Sequence, residues 1–321
     1  MNRHTNGERT ILQNTMTIDL DKSELRGDLR KQESMARHTS WKTGGPADYY
    51  FRPADLEDLS VFMSMVPASV PLTWVGFGSN LLVRDGGIAG VVISVSGVLN
   101  KLELAGDDSL TVGAGVSCAK VARFAARQGL SGVEFLAGIP GTIGGALAMN
   151  AGAYGGEVWN VVTAVETISR DGQCKRQARA DFDVAYRSVS IAADEWFVSA
   201  EITLEKSERG TVENAIRDML KERADAQPLG QHSCGSVFRN PPGDHAARLI
   251  EDCGLKGKSI GGAQVSDKHA NFIINTGSAT AADIEMLINE IQEIVFEKHA
   301  IQLQPEVRII GEPEAGSGGH G

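Results

Sequence analysis

Between residues 21 and 312 the hydrophobic positions fall into three textures. In 21–86, Tyr49, Tyr50 and Phe51 make an apolar run of strand length, and 55–65 reads as a short helix. The stretch LTWVGFGSNLLVRDGG (72–87) then reads strand, glycine turn, strand. Residues 87–206 alternate short apolar runs with glycines (GVVISV, LTVGAG, VVTAVETISRDG, WFVSAEITLE), which predicts a sheet-rich unit and not a parallel doubly wound one. One helix interrupts it: Ser117 is placed to cap, Val121, Phe124 and Ala125 share a face, and Gly129 closes it. In 207–312 a helix over 211–226 stops ahead of Pro228. A second opens with Thr280 and Asp283 in capping-box spacing, and Ile284, Leu287, Ile288, Ile291 and Val295 form its buried stripe. PEVRIIGE closes the chain as a strand. The class is α+β. Residues 1–20 read as a flexible extension, with Met16 an alternative start, and 313–321 as a flexible tail.

Composition narrows the function. A chain of 321 residues suits two or three cores. Its net charge of -10 argues against a general nucleic-acid binder, which needs a cationic surface. No apolar run approaches the ~20 residues that span a bilayer, and no signal peptide is visible, so no membrane insertion and a cytoplasmic location are expected. Cys118, Cys174, Cys234 and Cys253 have no paired spacing and read as free thiols, while the scattered histidines predict no metal site.

Glycine is the outlier, with 37 residues. Seven of them fall in the nineteen residues from Gly138 to Gly156, a density unsuited to packed helix or sheet. Bare backbone of this kind serves either sharp turns or close approach to an anion such as phosphate. The smaller turn GFGSN (76–80) lacks the third glycine of a dinucleotide fingerprint, and a strand follows where a helix should open, so a Rossmann site is rejected. Ser236, in CGSVFRNPPG, has no nucleophile elbow and no partners in hydrolase order. Arg187, after Tyr186, suits planar carboxylate recognition. In the last strand Glu306, Arg308 and Ile310 share one face, which is either a half-exposed edge or a site lining.

Taken together, TSWKTGGPA, GFGSNLLVRDGG, GAGVSCAKVARFAARQGLSGVEFLAGIPGTIGGALAMNAGAYGGE, YRSVS, CGSVFRNPPG, AARLIEDCGLKG, GGAQVSDKHANFIIN and PEVRIIGE resemble the UDP-N-acetylenolpyruvoylglucosamine reductase family, in order over about 39–312. The resemblance implies a two-part FAD-binding module of the p-cresol methylhydroxylase/vanillyl-oxidase type, 21–86 and 87–206, and a C-terminal α+β substrate domain, 207–312. It implies non-covalent FAD cradled by Gly76, Gly78, Ser79, Asn80, Gly138, Ile139, Pro140, Gly141, Thr142, Gly144 and Gly145, with Asn150, Ala151 and Gly152 nearby. Arg187, Ser236 and Glu306 would be catalytic and Tyr186 and Asn240 would touch substrate. The short spacing from Arg187 to Ser236 looks like the branch without an extra substrate-capping loop. Many relatives carry a lysine before QPL where this chain has Ala226, which leaves a diphosphate or cofactor contact missing or moved.

The implied reaction is NADPH-dependent reduction of UDP-N-acetylglucosamine enolpyruvate to UDP-N-acetylmuramate in peptidoglycan precursor synthesis. Hydride would pass from flavin N5 to the terminal enolpyruvyl carbon and a proton from Ser236 to its neighbour. The expected partners are the UDP-sugar and NADPH, with no nucleic acid, and a monomer is favoured.

Overall fold

Two faces of one sheet carry the first core. In this computed structural model, which describes Ile18 and residues 22–314, the first five strands are β1 (Asp28–Ser34), β2 (Pro46–Arg52), β3 (Leu72–Val75), β4 (Leu81–Val83) and β5 (Ile88–Ser94). Four of them form a sheet in the order β1-β2-β5-β3, antiparallel at β1–β2 and parallel elsewhere. Tyr49, Phe51, Val91 and Ile93 pack toward α1 (Leu56–Met65), while Tyr50 and Val92 pack with Met35 and Val83 on the other face. Burial on both faces explains why these strands read as continuous apolar runs. Asp55 caps α1, accepting from the Asp58 amide at 2.9 Å.

One expectation changes here. The boundary set at 86 cuts through this unit, because β5 lies between β2 and β3. The strands read on either side of the 76–80 turn are both present, in different sheets: β3 joins the first sheet, and β4 pairs in parallel with the C-terminal strand Arg308–Ile310. Local spacing marks a strand but does not choose its partner.

The second unit is a five-stranded antiparallel sheet ordered Cys174–Ala178, Val162–Ser169, Glu195–Thr203, Ser109–Gly113, Leu102–Leu104. Against it pack α2 (Cys118–Arg127) and α3 (Ile143–Ala148). Ser117 caps α2 through the Lys120 amide, and Gly129 beyond its end has φ +69°. The next helix, α4 (Arg209–Ala226), buries Val212 and Ile216 in this same core. The helix expected to begin the substrate domain therefore packs on the second unit, and the third core starts beyond it.

That third core joins α5 (Ala246–Asp252), α6 (Ala281–His299) and a three-stranded antiparallel sheet. Thr280 and Asp283 bond reciprocally, each at 3.0 Å, and the five stripe residues of α6 are 0–1% exposed. Trp41 reaches into this core from the first unit. Its indole N–H donates to the Ile273 carbonyl at 2.8 Å, and its own carbonyl accepts from Asn275 Nδ2 at 2.7 Å. Asp85, at the end of the β4 segment, accepts from the Ala281 and Ala282 amides at the N-terminus of α6. These ties fix the third unit against the turn that carries Ser79 and Asn80. Among the described residues no helix is long and apolar enough to cross a membrane, and no three potential metal ligands cluster. The expected flexible extension, Ile18 apart, and the tail beyond Glu314 lie outside the described residues.

Candidate active site

Ser236 is positioned by its neighbours. Asn271, 4% exposed, clamps the following residues: its carbonyl accepts from the Val237 amide and its side chain exchanges two bonds with Phe238, all at 2.8–2.9 Å. The Val237 carbonyl accepts from the Glu306 amide at 2.7 Å. The segment before the last strand is thereby laid beside Ser236. The same segment is tied to the glycine turn, since Asn80 Nδ2 donates to the Glu306 carbonyl and the Arg308 amide donates to Asn80 O, both at 3.0 Å.

Arg187 arrives from the second unit on the two-residue turn between Val184–Ala185 and Ser188–Val189, with φ +54°. A left-handed arginine stores strain of roughly 1–2 kcal/mol, which its contacts offset. Its Nε donates to Glu306 Oε1 at 2.9 Å, Nη2 to the Gly152 carbonyl at 2.8 Å and Nη1 to the Asn150 carbonyl at 3.4 Å. The pair is mostly withdrawn from water, with side chains 14% and 17% exposed. Arg187, Ser236 and Glu306, drawn from three distant stretches, line one cavity of about 210 Å³. No hydrogen bond engages the Ser236 hydroxyl among the described residues.

This cavity is the first of three that adjoin. Ser79, Asn80, Ile139, Met149 and Ala151 also line a second, of about 140 Å³, over the two glycine turns. Gly76, Thr142, Gly145 and Arg308 are shared between the second and a third, of about 280 Å³. The glycines divide by their reasons. A side chain on Gly76 would strike Thr142 Oγ1, and on Gly78 (φ +61°) the His38 carbonyl, so packing and backbone require both. On Gly141 or Gly145 a Cβ would meet nothing nearer than 3.7 Å, so protein packing does not explain those two. The amides of Gly78, Ser79 and Asn80 have no acceptor among the described residues. Arg308 has no carboxylate partner there either. Free amides, bare glycines and an uncompensated cation suit the phosphates of a long, anionic ligand.

The remaining expected residues are placed unevenly. Gly138, Pro140 and Gly152 line the first cavity, and Gly144 lines the third. Asn150 lies under the site, 1% exposed, with its amide committed to Glu157, Ala185 and Trp159. Tyr186 is 53% exposed outside the cavity lining, its ring 4.8 Å from the Arg187 guanidinium carbon. Asn240 also lies outside the lining, its Oδ1 accepting from the Ala246 amide at the start of α5. Ala226 ends α4, and one turn earlier Arg223 enters the first cavity. Its Nε donates to Gln227 Oε1, and burial lowers its pKa from the ordinary arginine value. Arg308, on the face read as either an edge or a site lining, lines the second and third cavities, whereas Arg223 and Asn271 escape sequence reasoning. Their only local signal is a polar residue near the end of an element.

Comparison with known proteins follows the same division. A family model described as UDP-N-acetylenolpyruvoylglucosamine reductase, C-terminal domain, matches residues 227–310, and one described as FAD binding domain matches 47–177. The chain is 54% identical over 291 residues to the UDP-N-acetylenolpyruvoylglucosamine reductase of Nitrosococcus oceani, covering 91% of this chain and 98% of that protein. It is 53% identical to a protein of the same name from Legionella pneumophila, covering 90% and 94%. The crystal structure of the Thermus caldophilus UDP-N-acetylenolpyruvylglucosamine reductase superposes with a TM-score of 0.77 at 31% identity, covering 89% of this chain and 99% of that one.

Proposed function

The chain belongs to the UDP-N-acetylenolpyruvoylglucosamine reductase family, and from that premise we propose that it reduces UDP-N-acetylglucosamine enolpyruvate to UDP-N-acetylmuramate with NADPH, in the cytoplasm. As a member of that family it is an FAD-dependent oxidoreductase of peptidoglycan precursor synthesis. Gly141, Gly145 and Arg308 would hold the phosphates of FAD, and Arg187 and Ser236 would lie on the side of its reactive ring. When bound, FAD supplies a two-electron carrier between NADPH and the terminal enolpyruvyl carbon.

The chain does the rest. Hydride arriving at the terminal carbon leaves negative charge on its neighbour, shared with the substrate carboxylate. Of the five guanidinium N–H groups of Arg187, three are held by Glu306, Gly152 and Asn150, which leaves two for that carboxylate. Arg187 thus stabilises charge where it develops, and Glu306 fixes its plane. The unengaged Ser236 hydroxyl gives its proton to the carbanionic carbon. A serine is a weak acid, but a carbanion is basic enough to take the proton. Arg223 replaces the cation absent at Ala226 and meets a phosphate of the UDP-sugar or of NADPH.

The observation that carries this reading is the convergence of residues 187, 236 and 306 on one cavity beside the glycine turns. The test is NADPH oxidation by the purified yellow protein. Consumption should depend on the enolpyruvyl substrate and yield the lactyl ether. Equal consumption without that substrate, or a protein that holds no flavin, would overturn the reading.

A further inference from the structure

One buried side chain joins the Arg187 hairpin to the glycine-rich segment. Asn150 follows α3, the helix that leaves the turn at 138–142, and its amide donates back to the Leu147 carbonyl at 3.3 Å. It is 1% exposed and stands at φ +43°, a left-handed backbone that asparagine tolerates better than most residues. Its Nδ2 donates to Glu157 Oε2 at 2.8 Å and to the Ala185 carbonyl at 3.1 Å, and Oδ1 accepts from the Trp159 amide at 3.3 Å. Both side-chain amide protons are thereby spent on the protein. Ala185 lies two residues before Arg187, on the hairpin that carries it. The Asn150 carbonyl also accepts from Arg187 Nη1, and the Gly152 carbonyl from Nη2. A Cβ on Gly152 would stand 3.1 Å from Nη1, so the bare backbone lets the guanidinium come this close.

We propose that Asn150 is a positioning residue for the reduction: it sets the Arg187 hairpin against α3, and so sets the guanidinium against the glycine turn, without itself touching FAD. The inference rests on the reaction proposed above. A guanidinium that meets a planar carboxylate through two N–H groups needs its plane fixed. Glu306 holds Nε from the segment before the last strand, and Asn150 holds the strand that leads into the hairpin. Glu157 decides which way the Asn150 amide faces. A carboxylate only accepts, so Nδ2 turns to it and Oδ1 is left for the Trp159 amide. Loss of this register moves a group that must meet developing charge, and a misplacement of about 1 Å there costs up to about a hundredfold in rate.

The test is a double-mutant cycle on the full, flavin-loaded chain, read by stopped-flow absorbance. Asn150→Gly removes the side chain, and glycine keeps the left-handed backbone without strain. In the parent background it should slow reoxidation of the reduced flavin by the enolpyruvyl substrate about tenfold. In an Arg187→Ala background it should slow that step by less than about twofold, because no guanidinium is left to position. Bleaching by NADPH, and the affinity of the stripped chain for FAD, should stay within about twofold of the parent. Equal slowing in both backgrounds, FAD weakened as much as reoxidation, or no slowing at all overturns the role of Asn150 while the reaction stands. If Asn150→Gly does not fold, Glu157→Ala leaves residue 150 in place and frees its amide. It should give the same pattern at about threefold, and an additive loss or no loss there overturns the role equally. A parent whose reduced flavin the enolpyruvyl substrate does not reoxidise overturns the reaction and the proposal together.

Discussion

Removing one oxygen from residue 236 separates the chemistry of this site from its architecture. Ser236 is partly buried, and its hydroxyl holds no neighbour among the described residues, so Ser236→Ala leaves no donor or acceptor stranded. The backbone there is fixed through Val237 and Phe238, which the change does not touch. Stability should therefore move by no more than about 0.5 kcal/mol. The expected kinetic effect is much larger. A lost general acid lowers the assisted step by roughly 10²–10⁴, equivalent to about 3–5 kcal/mol of barrier. Stopped-flow absorbance follows the two halves of turnover separately. NADPH should bleach the yellow protein at the parental rate, and recovery of colour on adding the enolpyruvyl substrate should slow by that factor. If both halves slowed together, or neither did, Ser236 would not be the proton donor. A fall in melting temperature of several degrees would instead reveal a structural role for the Ser236 hydroxyl.

Other perturbations probe the supports. Arg187→Lys keeps one charge but cannot hold Glu306, Gly152 O and a substrate carboxylate together, so kcat should fall at least tenfold while FAD affinity stays unchanged; titration with FAD and steady-state kinetics check both. Trp41→Phe strands the Ile273 carbonyl and shrinks a fully buried side chain, and urea unfolding should show about 2–4 kcal/mol lost; a loss under 0.5 kcal/mol would mean that Trp41 does not staple the third unit. The His38 ring and the Arg30 guanidinium hold the Glu33 carboxyl below its ordinary value of 4.5. Such a group stabilises the fold above that value, and its contribution is lost as pH falls through the lower, folded value. Glu33→Gln should accordingly be less stable than the parent near neutrality and converge on it in acid, and parallel stability curves from pH 7 down to 3 would contradict the assignment.

What the chain's order of residues decides alone is short-ranged. Caps at Ser117 and Thr280, the stop before Pro228 and the stripe on α6 all depend on atoms within about one helical turn. They were legible because the groups that satisfy them are neighbours in sequence. The glycine density at 138–156 was legible too, but not its meaning, because Gly78 and Gly141 look alike until their surroundings are known. The segments resembling a reductase family carried the site residues, yet only the fold shows that Asn150 and Asn240 spend their side-chain oxygens on backbone amides. Strand partnership was likewise beyond local reading: β5 lies inside the first sheet, and the C-terminal strand returns across 226 residues to lie beside the turn at Asn80. Burial of apolar faces and pairing of backbone groups decide such contacts, and both are properties of the assembled chain. Arg187, Ser236 and Glu306 meet because three separate cores press their edges together, a condition that no window of sequence contains.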